Sequence, residues 1–310
     1  MTFDSQRLHA SPTGAQINLY TRRPQTAAIG VLQVNHGLAE HAARYARFAE
    51  FMATQGFHVY AHDHRGHGHT TAPDAPLGRF AAHDGGAKVI ADVAAVHQLI
   101  ASEHPCLPVI LFGHSMGGII ALNYLLRHSD TVHAAAIWNA NFSTGLLGRL
   151  AQAILAYERF RLGSDMPSRL LPKLTFQAWG KAVPGHRTDF DWLSRDAAEV
   201  GKYIADPLCG WDASVSLWQD LFQMIFFGAD DSNFASVRRD LPINLVGGEH
   251  DPATDGGKAV IALASRMRAM GFSNLVSKVY AETRHESLNE LNRDLIMEDF
   301  AAWAKRAVTR

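Results

Sequence analysis

One serine carries a chemical signature: Ser115, set in Gly113-His114-Ser115-Met116-Gly117. The apolar run VILF precedes this pentapeptide and the helical pattern GIIALNYLLRH follows it, so Ser115 falls on a predicted strand-to-helix turn. A turn that sharp lifts the side-chain oxygen above the sheet edge, and small flanking residues let the backbone pass closely. It also aims a helix N-terminus at the serine, where the dipole and the free Met116 N–H are placed to stabilise an oxyanion. The chemistry implied is nucleophilic attack on a carbonyl.

A serine nucleophile needs a base, and the base needs an acid that orients it. The chain has 17 histidines, so their number selects none of them. Chain order does, in the fold class whose nucleophile sits on such a strand-to-helix turn: nucleophile, then acid, then histidine. The segment INLVGGEHDPATDGG offers Glu249, Asp251 and Asp255. Asp255 reads as the N-cap of a helix predicted from about 256. Asp251, beside Pro252 just past the strand, is the preferred acid, with Glu249 as the alternative. Beyond that loop only His285 remains, in ETRHESLNE. A second oxyanion donor is expected from the loop His36-Gly37-Leu38-Ala39-Glu40-His41, where Gly37 permits the turn and Leu38 offers its N–H.

Other conspicuous residues receive plainer readings. The run His62-Asp63-His64-Arg65-Gly66-His67-Gly68-His69 lacks the helical i, i+4 pair of a zinc protease and reads as a packed loop, not a metal site. Cys106 and Cys209 are too few for a disulfide scaffold or a four-cysteine zinc site and read as packing residues.

The elements that must position these residues alternate along the chain. Strand patterns at 16–23, 31–36, 58–63 and 109–114 alternate with helical patterns at 42–55 and 86–101. In the first helix Tyr45, Phe48, Ala49 and Met52 share a face; in the second, Val89, Val93, Val96 and Ile100 do. Strands recur at 134–140, 243–248 and 275–281, with helices at 256–270 and 287–306. This rhythm predicts an α/β fold with a mostly parallel sheet covered on both faces. Over 141–235 the rhythm stops, and the segment is helical and rich in large apolar residues. Ser216-x-x-Gln219 reads as a capping box opening a helix that stops at Gly228. The division expected is a core of residues 1–140 and 236–310 with a helical cap, 141–235, over one end of the sheet.

Composition narrows the classes further. The chain of 310 residues is 47% hydrophobic and 19% charged with a formal charge of −1, which supports a large core and argues against disorder. Without clustered cations, nucleic acid is not an expected partner. The N-terminal stretch has no basic segment followed by an apolar one, and no run approaches the ~18 apolar residues of a membrane span, so the cytoplasm is the expected location.

Five blocks together resemble the α/β-hydrolase branch of monoacylglycerol lipases and bacterial lysophospholipases, whose domain is of the serine aminopeptidase S33 type. They are HGLAEHAARY (36–45), AHDHRGHGHT (61–70), FGHSMGG (112–118), GGEHDPATDGGK (247–258) and RHESLNE (284–290). The resemblance implies an eight-stranded sheet with a helical cap after the sixth strand. It also implies a catalytic set of Ser115, Asp251 and His285, oxyanion donors Leu38 and Met116, and substrate-facing Glu40 and Arg44 near the pocket entrance. For the last two, a surface i, i+4 pair at a helix start is the alternative. Ala39 stands where many members have glycine.

These readings converge on a serine ester hydrolase working through an acyl-enzyme, with no metal or organic cofactor. The expected substrates are small-molecule esters or monoacyl lipids: monoacylglycerol, lysophospholipid or medium-chain esters. The amphipathic stretch 144–160 is expected to cover the site with its apolar face; transient contact with membranes or micelles is the other reading. A peptidase or amidase with the same triad would need a carboxylate in the cap, with Glu158 and Glu199 as candidates. An acyltransferase would need water excluded.

Overall fold

The computed structural model describes residues 2–309, apart from the side chain of Leu147. Eight strands form one sheet: β1 (Ser5–Ala10), β2 (Gln16–Arg22), β3 (Gly30–Asn35), β4 (Phe57–His62), β5 (Val109–His114), β6 (Ala134–Trp138), β7 (Ile243–Gly248) and β8 (Leu275–Tyr280). Their order is β1-β2-β4-β3-β5-β6-β7-β8. The β1–β2 and β2–β4 pairs are antiparallel and all later pairs parallel. Every residue of β3 to β7 is buried, as expected of parallel strands covered on both faces.

The helices are α1 (Ala46–Thr54), α2 (Gly85–Glu103), α3 (Met116–Arg127), α4 (Leu146–Leu162), α5 (Leu171–Leu174), α6 (Phe176–Ala182), α7 (Ala197–Ala205), α8 (Val215–Ala229), α9 (Lys258–Ala269) and α10 (Arg293–Val308). Side chains of α1 and α10 pack one face of the sheet around Phe112, Trp138 and Phe300. Those of α2, α3, α8 and α9 pack the other around Leu111, Ile120 and Leu245. Five helices, α4 to α8, lie between β6 and β7, where the strand rhythm lapses.

Several sequence expectations are corrected. Strand β1 precedes the first strand pattern read from the sequence: it carries no apolar alternation, being an edge strand with mostly exposed residues held by backbone pairing to β2. Helix α8 is capped by Ser214, whose Oγ accepts from the Leu217 N–H at 3.1 Å, so Ser216 lies inside the first turn. Nor does Gly228 stop that helix: a Cβ there would stand 2.6 Å from the Phe142 ring, so the glycine answers a packing demand. Asp255 does not cap α9. A 3₁₀ turn at Pro252–Thr254 uses up the segment, Gly257 takes the N-cap, and Asp255 sits exposed in the left-handed region at φ 52°. Cys106 is exposed rather than packed.

From His62 to His67 the histidine-rich run forms a buried support behind the loop that carries Leu38, while His69 is exposed. The His36 Nε2 accepts from the His64 N–H at 2.9 Å, so its Nδ1 carries the proton and donates to the Gly37 carbonyl at 2.8 Å. Burial pushes His62 down to about 3 and His67 down to about 4. The unfolded chain therefore binds extra protons from its ordinary histidine range near 6.5 downward, and folding stability falls as pH falls through that window. The steepest slope is about 1.4 kcal/mol per pH unit for each such histidine. Thermal midpoints from pH 7 to pH 4 are expected to drop progressively below about pH 6.5. A midpoint unchanged down to pH 4.5 would contradict this.

Candidate active site

The carboxyl ends of β3, β5, β6, β7 and β8 lie along one edge of the sheet, with Asn35 opposite Gly113 and Gly113 opposite Ile137 in register. Ligands of open α/β sheets bind outside such an edge. Just beyond it the chain delivers Leu38 after β3, Ser115 after β5, Asn139 after β6, Asp251 after β7 and His285 after β8.

Ser115 holds φ 56° and ψ −120°, an unfavourable conformation for a residue with a Cβ. The surrounding structure enforces it. The Ser115 N–H donates to the Trp138 carbonyl at 2.9 Å, and α3 starts at the next residue. A Cβ on Gly113 would fall 2.1 Å from the Gly117 carbonyl oxygen, and one on Gly117 would fall 2.1 Å from that of Asn35. Both glycines of the motif are therefore sterically required.

The three side chains predicted to act together do meet. The Ser115 Oγ–H donates to His285 Nε2 at 2.8 Å, and His285 Nδ1–H donates to Asp251 Oδ1 at 2.9 Å. Both bonds require the tautomer with the proton on Nδ1. Asp251 is fully buried and accepts three further bonds: from the Ala253 N–H at 3.0 Å, from Asn139 Nδ2 at 3.0 Å and from Thr254 Oγ1 at 2.8 Å. Burial alone would raise its carboxyl, but His285 and these donors hold it below the ordinary value. Glu249, the alternative acid, is exposed and accepts from the Glu282 N–H.

Sequence reasoning passed over three supports. Asn139 holds Asp251 on one side while its Oδ1 accepts from Ser287 Oγ at 3.0 Å. Its signal was a polar residue at the end of an otherwise apolar strand. Thr254 braces the second carboxylate oxygen, and His114 Nε2 donates to the His285 carbonyl at 2.9 Å.

Among the described residues neither the Leu38 nor the Met116 N–H has a backbone acceptor, and both residues line the cavity that reaches Ser115. Ala39 takes φ 55°, and its carbonyl accepts from the Gly210 N–H and the Tyr203 hydroxyl, each at 2.9 Å. The turn thus keeps its left-handed residue without glycine because the helical segment grips it. Glu40 and Arg44 are an i, i+4 pair, yet a buried one. Glu40 Oε1 accepts from the Gly37 N–H at 2.6 Å, while Arg44 grips both Glu286 oxygens at 2.6 and 2.7 Å. Desolvation would raise the Glu40 carboxyl; Arg44 and His114 hold it well below the usual range.

Above Ser115 opens a cavity of about 590 Å³. Its walls are mainly apolar: Leu38, Met116 and Ile119 from the sheet side, Ile154 from α4, Phe176 and Trp179 from α6, and Trp218 and Phe222 from α8. The inner face of α4 meets this cavity, while Tyr157 and Phe160 are exposed. Glu158 does not reach it: Ser168 Oγ and the Arg169 and Leu170 N–H groups occupy its carboxylate. Glu199 is bound by Arg47 and Lys202. Cys209 has its thiol raised by burial, which disfavours the thiolate.

Comparison with known proteins agrees with this architecture. A monoacylglycerol lipase of Mycolicibacterium smegmatis is 27% identical over 310 residues, covering 96% of each chain. A monoglyceride lipase of Rattus norvegicus is 25% identical over 282 residues, covering 89% of this chain and 82% of that one. The crystal structure of a carboxyl esterase from Bacillus coagulans superposes with a TM-score of 0.84 at 22% identity over 99% of both chains, a likeness of fold. Residues 26–292 match the family described as serine aminopeptidase, S33, and with its eight-stranded sheet and strand-to-helix serine the chain belongs to that family of α/β-hydrolases.

Proposed function

We propose that this serine ester hydrolase cleaves carboxylic esters of single acyl chains through Ser115, His285 and Asp251. The observation that carries the reading is the unbroken Ser115–His285–Asp251 hydrogen-bond chain at the floor of an apolar cavity of about 590 Å³. His285 Nε2 takes the Ser115 proton as Oγ attacks the ester carbonyl. Asp251 holds the imidazole in its tautomer and stabilises the imidazolium. The Leu38 and Met116 N–H groups receive the oxyanion. His285 then returns the proton to the leaving alkoxide, and a water activated by the same imidazole hydrolyses the acyl-enzyme. Glu40 and Arg44 act on this site by fixing the oxyanion turn through Gly37, beside the pocket.

In this reading residues 141–235 are the cap and residues 1–140 with 236–310 the core. The cavity's aliphatic and aromatic walls favour a medium or long acyl chain, as in monoacyl lipids. With Glu158 and Glu199 committed to other partners, the cap offers neither of them to a peptide ammonium. No helix among the described residues is long and apolar enough to cross a membrane, so any lipid contact would be peripheral, through the exposed apolar residues of α4. Co-sedimentation with phosphatidylglycerol vesicles tests that contact: pelleting supports it and its absence removes it.

Initial rates on p-nitrophenyl esters from acetate to palmitate test the reading itself. A maximum at medium or long chains is expected. A maximum at acetate would replace the lipid-like substrate with a small ester, and no cleavage of any ester would overturn the reading.

A further inference from the structure

Beside the oxyanion turn three side chains of different chemistry converge. A ring nitrogen of His41, a carboxylate oxygen of Asp206 and the Cys209 sulfur all lie within 4.8 Å of one another. His41 ends the loop that carries Leu38, while Asp206 and Cys209 sit in the turn after α7. His41 Nε2–H donates to Asp206 Oδ2 at 2.8 Å. The turn is shaped in advance. The Cys209 N–H donates to the Asp206 carbonyl at 3.0 Å, and Asp206 Oδ1 accepts from the Leu208 N–H at 2.9 Å, which leaves Oδ2 for the imidazole. Neither the Ser115–His285–Asp251 chain nor the Glu40–Arg44–Glu286 cluster bonds to any of the three.

An imidazole nitrogen, a carboxylate oxygen and a sulfur are the ligand types of zinc and of cobalt standing in for it. Tetrahedral ligands of zinc, about 2.0–2.3 Å from the ion, stand about 3.4–3.6 Å apart. His41 and Asp206 need part by only about 0.6 Å, and Cys209 close by at most about 1.4 Å, to reach that spacing. The charged groups that act most strongly on Cys209 are Glu40, Asp206 and Glu286 against Arg44, three carboxylates to one cation, a balance that favours a dication. The Asp206 side chain is 30% exposed, which gives an ion its entry and a water the fourth position. A free thiolate is disfavoured here, but a coordinating thiol is deprotonated by the ion itself. Loading sends the thiol proton to solvent and moves the imidazole proton from Nε2 to Nδ1. His41 Nδ1 is buried without a partner already, so loading creates no new unpaired atom.

We propose that His41, Asp206 and Cys209 bind one divalent ion of the zinc class, which bolts the turn after α7 to the oxyanion loop. The ion fastens a contact the fold already makes, since Gly210, next to Cys209, donates its N–H to the Ala39 carbonyl at 2.9 Å. It holds the loop in shape and touches no reacting atom. The inference is independent of which ester, if any, the chain cleaves.

The test titrates the full chain, stripped with a chelator, with Co²⁺ and then Zn²⁺. One cobalt per chain is expected, with a thiolate-to-cobalt charge-transfer band and the visible bands of tetrahedral coordination. Zinc is expected to displace it with a Kd of about 1 μM or tighter at neutral pH. At a hundred times that Kd, zinc should raise the thermal midpoint by about 4 °C. The sequence holds only two cysteines, and Cys106 is exposed, so a charge-transfer band in Cys106→Ser can come only from Cys209. Cys209→Ser is expected to lose the band, and Asp206→Asn to bind zinc about tenfold or more weakly. If Cys209→Ser fails to fold, Cys106→Ser still decides. Cobalt uptake without a thiolate band, a band lost in Cys106→Ser, or a zinc Kd unmoved in Asp206→Asn would overturn the proposal.

Discussion

Ser115→Ala is expected to lower kcat for ester cleavage by on the order of 10⁶-fold, to a residue of activity attributable to binding and oxyanion stabilisation alone. The fold should tolerate the change. Ser115 Oγ makes one side-chain bond, to His285, and the elbow is held by the Ser115 N–H on Trp138 and by the two glycines. Alanine pays the same backbone strain at φ 56° as serine. A thermal midpoint near that of the parent, together with lost activity, separates chemistry from folding. Retention of more than a few per cent of activity by a purified variant would remove Ser115 from its role.

Asp251→Asn is expected to lower kcat by about 10⁴-fold, the size seen when a triad acid loses its charge but keeps its shape. The local bonds explain why. The carboxylate accepts from four groups, and an amide offers only one oxygen to serve them. If that oxygen faces His285, the amide NH₂ points at Asn139 Nδ2 and Thr254 Oγ1. If it faces them, the NH₂ points at His285 Nδ1 and favours the wrong tautomer. Asn139→Ala is expected to be milder, since Thr254 still braces the same oxygen. The pH-rate profile gives a further check. Asp251 ionises below its ordinary range, so its protonation should not limit activity above about pH 4. An acid limb that moves when Asn139 is replaced would contradict that assignment.

Much of this site could be read before any coordinates. Strands β5 and β7 match their predicted spans, because short, largely apolar runs that lead into glycine-containing turns admit few other structures. The glycines around Ser115 were legible as a close-packed turn, and chain order singled out His285. What could not be read depends on contacts between distant segments. Strand β1 is held by backbone pairing that its side chains do not advertise. Asn139 matters because β6 ends beside the loop after β7, a fact of topology. The burial of Glu40 and Arg44 depends on Glu286, more than two hundred residues away. Trp192 likewise reaches His285 only because residues 191–194 bond to the loop 284–286. The caps of α8 and α9 were misplaced by two residues or so, the usual cost of reading helix ends without their local geometry.

The central claim is that hydrolysis passes through an ester on Ser115. Its most direct measurement is mass spectrometry of the protein quenched in acid during turnover of p-nitrophenyl octanoate, followed by peptide mapping. The account predicts an added octanoyl group on the peptide containing Ser115, formed at the rate of the p-nitrophenol burst and absent from Ser115→Ala. Steady ester cleavage with the acyl group on another residue, or a burst that persists in Ser115→Ala, would contradict it.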